Sequence, residues 1–215
     1  MAMAKAQSPS GLLANACPDA PLSAISRLMD FANQAKRFAS SAGLTSAGVA
    51  GSFLLEHILP AITAWRLIRP HSCAQIADLG AGAGAFAFTA AILHPSVSVV
   101  AIDSSGEHCS FMTGVSQRLG VGNIRVLNQR IESMGALAEY SRRFGIIGAR
   151  ALGPENLPYA LAAPLLRPRG ALLLWRTMRP DADAVPGPFR LSRHLDLGSF
   201  SPRLALTRYD LAAPV

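Results

Sequence analysis

A chain of 215 residues, half of them apolar and only 15% charged, has the composition of one globular domain with a helical extension, which excludes a disordered chain. The formal charge of +7 rests on arginine, since lysine occurs only at Lys5 and Lys36; such a surface favours phosphate through bidentate contacts and makes RNA a natural partner, coding bias being the bland alternative. No run reaches the ~20 apolar residues that cross a bilayer, and Cys17, Cys73 and Cys109 are too scattered for a disulfide framework or a metal site, so a protein without metal in a reducing cytoplasm is expected.

Residues 1–20 lack a sustained apolar stretch and predict a frayed, flexible tail without a secretory signal. Over residues 21–42, Leu22, Ile25, Leu28, Met29, Ala32, Ala35 and Phe38 recur at three- and four-residue steps, which predicts an amphipathic helix ended by Gly43. A second helix is predicted over about residues 52–68, stopped by Pro70. Both precede the first strand, so residues 21–70 are expected to cap a domain formed by residues 71–215. Strands at 73–79, 97–102 and 124–128 then alternate with helices at 85–93 and 107–119, the pattern of a parallel sheet with right-handed crossovers. A strand at 144–148, a proline-bounded helix at 157–166 and a strand at 170–175 continue the series. After a loop at 180–188, residues 189–197 and 203–211 alternate as a closing hairpin.

The segment Ile76-Ala77-Asp78-Leu79-Gly80-Ala81-Gly82-Ala83-Gly84 carries the chemistry. A short apolar strand delivers a carboxylate, and a turn of residues with little or no side chain lets the backbone close on a ligand at the next helix N-terminus. Asp103 follows roughly 20 residues on, where a doubly wound sheet sets an acid against ribose hydroxyls. The same glycines satisfy a dinucleotide pattern if its last position is Ala85. Asp78 separates the two, because a carboxylate there suits a cationic amino-acid end and repels a pyrophosphate. The reading is therefore a Rossmann-like S-adenosylmethionine-dependent methyltransferase fold with an N-terminal helical cap.

In order and spacing the chain resembles the glucose-inhibited division protein B family, bacterial methyltransferases that modify N7 of a guanine in 16S, the small-subunit ribosomal RNA. The markers are Gly43-Leu44-Thr45, then Glu56-His57-Ile58-Leu59, the 78–84 loop, Asp103-Ser104, Phe111, Leu119, Asn123-Ile124-Arg125-Val126, Arg130-Ile131-Glu132 and Arg150-Ala151. Three places depart from the family pattern. Ala85-Phe86-Ala87-Phe88 stands where a Pro-Gly pair is usual, Glu107-His108 replaces a Lys-Arg pair, and Arg176-Thr177 represents a Lys-Gly pair.

The resemblance implies S-adenosyl-L-methionine as cofactor and ribosomal RNA or the small ribosomal subunit as partner, with a monomer expected. Asp78, Gly80, Gly82 and Gly84 would hold the methionine end, Asp103 and Ser104 the ribose, and Ile131 with Glu132 the adenine. Arg150 and Arg176, at the carboxyl ends of central strands, are assigned to the RNA backbone or the target base. A salt bridge from Arg150 to Glu155, or a solvated Arg176, is the structural alternative. Guanine N7 attacks through an in-plane lone pair, so positioning does the catalytic work and no base is needed. His57 is read as a capping or packing histidine, Cys109 as a buried small hydrophobe and Trp175 as core. A binding module without turnover and a nicotinamide-dependent oxidoreductase stay open as alternatives.

Overall fold

The computed structural model describes residues 8–41, 53–67, 75–177, 185–198 and 204–212. Gly43-Leu44-Thr45, the start of the predicted first strand and the turn of the closing hairpin lie outside them.

Seven strands form one sheet in the order β3-β2-β1-β4-β5-β7-β6. They are β1 (Gln75–Leu79), β2 (Ser98–Asp103), β3 (Ile124–Asn128), β4 (Phe144–Arg150), β5 (Leu166–Arg176), β6 (Phe189–Asp196) and β7 (Ala205–Leu211). The first five run parallel, and β7 lies antiparallel between β5 and β6. β1, β2 and β4 are almost continuously buried, because helices cover both faces of a parallel sheet. The edge strand β6 alternates and turns Arg190 and Arg193 to solvent, charges that discourage pairing with another strand.

On one face lie α4 (Ala85–Leu93) and α5 (Gly106–Leu119), beneath the N-terminal helices α1 (Pro9–Ala16), α2 (Leu22–Ser41) and α3 (Leu59–Leu67). Their shared core joins Leu28, Phe31 and Phe53 to Phe88, Met112 and Ile146. On the other face α6 (Ile131–Met134) and α7 (Leu157–Ala162) join Tyr140, Ile147, Leu172 and Tyr209 in a second core. No helix of the described residues is long and apolar enough to cross a membrane.

Part of the expected tail is ordered: Ser8 caps α1 through a hydrogen bond from the Gly11 N–H, Pro9 takes the first helical position, and Leu13 is wholly buried. A single apolar anchor tells little from sequence, yet here it reaches the common core. The predicted helix at 157–166 is shorter, because Leu166 already pairs with Phe144 and β5 starts there. Pro168 and Gly170 hide that start from a sequence reading, which takes them for loop residues.

Candidate functional site

In a doubly wound sheet ligands bind outside the carboxyl ends of the strands where the order reverses. Here that point lies between β1 and β4, and a cavity of about 230 Å³ opens there, lined by Asp78, Gly80 to Ala83, Ala85, Phe86, Arg150 and Trp175, with Phe53, His57 and Ala61 from the cap.

The loop after β1 is held tightly. Gly80 and Ala81 N–H both donate to the Ile102 carbonyl, and Gly84 N–H donates to Ala81. Gly82 N–H donates to Asp103 Oδ2 at 2.7 Å. Gly80, Gly82 and Gly84 all have positive φ, at 68°, 56° and 81°, a region closed to most side chains. The Gly80 and Gly82 N–H groups are thus used inside the loop, while both residues stand in the cavity wall with their Cα and carbonyl groups. Ala83 and Ala85 N–H, also in the cavity wall, take no acceptor from the loop. A Cβ at Gly82 would meet nothing within 4 Å, whereas one at Gly84 would strike Phe88 at 2.8 Å. Gly82 thus faces open space and Gly84 serves packing.

Asp78 is buried and accepts from Ala87 N–H at 3.0 Å. Burial, helped by the nearby Asp103 charge and opposed by that hydrogen bond, raises its carboxyl to about 7. Such a group in a cavity wall is poised for a cationic ligand. Asp103 is engaged on both oxygens: besides Gly82, Oδ1 accepts from Ser105 N–H at 2.9 Å and lies 3.3 Å from His108 Nδ1. One of the departures from the family pattern thus touches the proposed ribose acid directly. The other, Glu107, is exposed in the first turn of α5, where an acid complements the helix dipole.

Proline explains how the cap reaches the site. Pro60 has no N–H, which frees the Glu56 carbonyl four residues earlier, and the helix opens into a π-turn over Leu54–Ile58. Arg150 Nη1 donates to that carbonyl at 2.5 Å and to His57 Nδ1 at 3.1 Å. His57 stacks on Phe53 at 4.6 Å between ring centroids; burial and then the Arg150 charge lower its pKa to about 4, so it stays neutral. Trp175 Nε1 donates to the Pro60 carbonyl, and the indole tilts over Phe86 at 5.1 Å. The alternative of an Arg150–Glu155 salt bridge is not realised, since Arg150 is committed to the cap.

Beyond Arg150 and Trp175 lies a second, larger cavity of about 420 Å³, whose wall also includes Leu152, Glu155, Pro158, Arg176 and Leu204. Arg176 is not a freely solvated charge: it donates to the Glu155 carbonyl and its guanidinium lies 5.5 Å from the centre of the Tyr159 ring. Of the remaining sequence candidates, Ser104 and Glu132 are exposed and Ile131 is buried in the second core; none lines either cavity. Cys109 is buried with its thiol pointing at the Asp103 carbonyl, and burial raises its pKa, the state of an unreactive thiol. Sequence reasoning does not find Phe53 or Phe86 as cavity residues, because an aromatic residue in an apolar run reads as core; Trp175, read as core with a stacking role as the alternative, lines both cavities.

The profile of the family described as rRNA small subunit methyltransferase G matches residues 24–194. The chain belongs to this family. Relatives named Ribosomal RNA small subunit methyltransferase G include that of Caldicellulosiruptor bescii, 32% identical over 56% of this chain and 52% of the relative. That of Halorhodospira halophila is 28% identical over 83% and 81%. The chain spans about half the length of several of the curated relatives it matches. Among solved structures it resembles an S-adenosylmethionine-dependent methyltransferase from Aquifex aeolicus, with a TM-score of 0.57 and 15% identity over 81% of this chain and 98% of that one. An RNA methyltransferase from Salinibacter ruber in complex with S-adenosyl-L-homocysteine aligns with a TM-score of 0.52 and 14% identity, over 66% and 83%. At these identities the structures establish the methyltransferase fold.

Proposed function

We propose that this chain, like the relatives whose name it shares a family with, transfers a methyl group from S-adenosyl-L-methionine to guanine N7 in 16S ribosomal RNA. The observation that carries the reading is the pair of neighbouring cavities at the carboxyl ends of the central strands, both lined by Arg150 and Trp175. One has the features of a cofactor site, the other those of a base site.

The first cavity fits the methionine end of the cofactor. Asp78 sits in its wall without a cation, Gly82 presents open space where a Cβ would project, and the Ala83 and Ala85 amides stand at the N-terminus of α4 for the carboxylate. Asp103 lies beside the loop to receive the ribose. Ser104, Ile131 and Glu132 extend the assignment toward the adenine along the ends of β2 and β3. When bound, S-adenosylmethionine supplies a methyl group on a cationic sulfur. Arg150 and Arg176 are assigned to the substrate in the second cavity, where two fixed guanidiniums hold a phosphate or the guanine carbonyl edge. Arg150 is held by the cap and Arg176 by Glu155 and Tyr159, so their positions are set before the RNA arrives. No residue has to remove a proton, and His57, neutral and already accepting from Arg150, is suited to positioning rather than to base catalysis.

Methyl transfer by the purified protein to unmethylated 16S ribosomal RNA and to small subunits tests the reading. It predicts incorporation that Arg150→Ala abolishes or lowers strongly. Tight cofactor binding with no transfer to either substrate would leave a binding module in its place.

A further inference from the structure

Away from both cavities, at the amino ends of β4 and β5, four arginines come together. Arg142 and Arg143 precede β4, and their N–H groups donate to the carbonyls of Pro164 and Leu165 just before β5. Arg167 lies across Gly145, where a Cβ would be only 3.2 Å from the guanidinium, and Arg169 follows beside Gly170, itself packed on the Gly145 carbonyl. Arg142, Arg143 and Arg169 are exposed. Among the described residues no carboxylate pairs with any of these three. Arg143 Nε donates to Gln75 Oε1 at 2.8 Å, which fixes its guanidinium over the start of β1. Arg142 and Arg169 have φ of 50° and 62°, a region that favours glycine, so two like charges are presented from strained backbone at one edge.

Folding gives no reason to gather Arg142, Arg143 and Arg169 in this way with no carboxylate among them, since like charges repel. A polyanion does. We propose that this amino-edge arginine cluster is a second contact for the phosphate backbone of the RNA substrate, at the opposite end of the central strands from the methyl-transfer site. The proposal rests on RNA being the substrate. β4 separates Arg143 from Arg150 by roughly 23 Å at about 3.3 Å per residue. Two phosphate contacts at that spacing select a large folded RNA over a short strand, because the second contact becomes intramolecular once the first is made.

The test is filter binding of 16S ribosomal RNA across a salt series. It compares the wild type with the triple variant Arg142→Gln, Arg143→Gln, Arg169→Gln and with a charge-matched control, Arg27→Gln, Arg190→Gln, Arg193→Gln. The expected result is affinity about tenfold lower at low salt and a salt slope shallower by about 2–3 units for the amino-edge variant only. S-adenosylmethionine binding should be unchanged by calorimetry. The double variant Arg142→Gly, Arg169→Gly guards against a folding artefact: relief of the left-handed backbone should keep its melting temperature at or above wild type while the slope still falls. Equal slopes for the amino-edge and control variants overturn the proposal, whereas a wild type that does not bind the RNA overturns the functional reading together with it.

Discussion

Asp78 and Asp103 divide the work at the head of the site, and each makes a prediction of its own. Burial keeps Asp78 protonated to about 7 in the folded chain, against an ordinary value of 3.8. The folded state therefore retains a proton that the unfolded chain has lost, and stability falls as pH rises from about 4 through 7. Asp78→Asn keeps the acceptor for Ala87 N–H and removes that loss. Thermal melts should show the variant several degrees above wild type at pH 8 and level with it near pH 4, at about 1.4 kcal/mol per pKa unit and roughly 2–4 °C per kcal/mol. Cofactor affinity should fall in the same variant, and equal affinity would take Asp78 out of the site. Asp103→Ala should weaken S-adenosylmethionine binding by about 1–3 kcal/mol in a calorimetric titration, both by losing the hydroxyl acceptor and by releasing Gly82 N–H. The sequence pattern exposed both carboxylates and all three glycines as candidates. It did not show that the Gly80 and Gly82 amides are used internally, nor that His108 sits on Asp103, because hydrogen-bond partners depend on how the loop closes.

Among the elements, the aromatic pair Phe86 and Phe88 occupies the place of a turn-forming Pro-Gly pair and ties three layers together. Phe88 stacks on Phe31 of α2 at 4.6 Å. Phe86 lies over Gly148 of β4 so closely that a Cβ there would be 2.4 Å from the ring. Gly148→Ala should therefore destabilise the fold by about 1–3 kcal/mol, and Phe86→Leu should recover part of that loss in the double variant, as denaturant unfolding of the double-mutant cycle would show. Additive effects would mean that the ring moves aside freely. The amphipathic α2 was legible because its period of 3.6 is written in the apolar residues, and the alternation of strands with helices because short apolar runs stand between the helical stretches. The π-turn was not, although its cause, Pro60, is visible: a proline marks a missing N–H without revealing that the Glu56 carbonyl it frees is taken by Arg150, 94 residues beyond Glu56 in the chain. β5 began earlier than expected for a related reason. Its pairing with Phe144 outweighs the local preferences of Pro168 and Gly170.

At the scale of the molecule, strand order places the two cavities side by side and sets Arg150 and Arg176 at neighbouring strand ends. Arg176→Ala should leave cofactor affinity intact, weaken RNA binding and lower the salt slope by about one unit; an unchanged slope in filter binding would place Arg176 away from the RNA. The overall architecture was readable from element order alone, since a glycine-rich loop after a first strand and an acid after a second locate the switch point. The second cavity was not readable, because Leu152, Pro158, Trp175 and Leu204 converge on it from separate segments. Nucleoside mass spectrometry of 16S ribosomal RNA from cells with and without this gene measures the identity of the methylated atom directly. The expected result is a 7-methylguanosine that is present with the gene, lost without it and restored by wild-type protein but not by Arg150→Ala. An identical nucleoside profile in the two strains would contradict it.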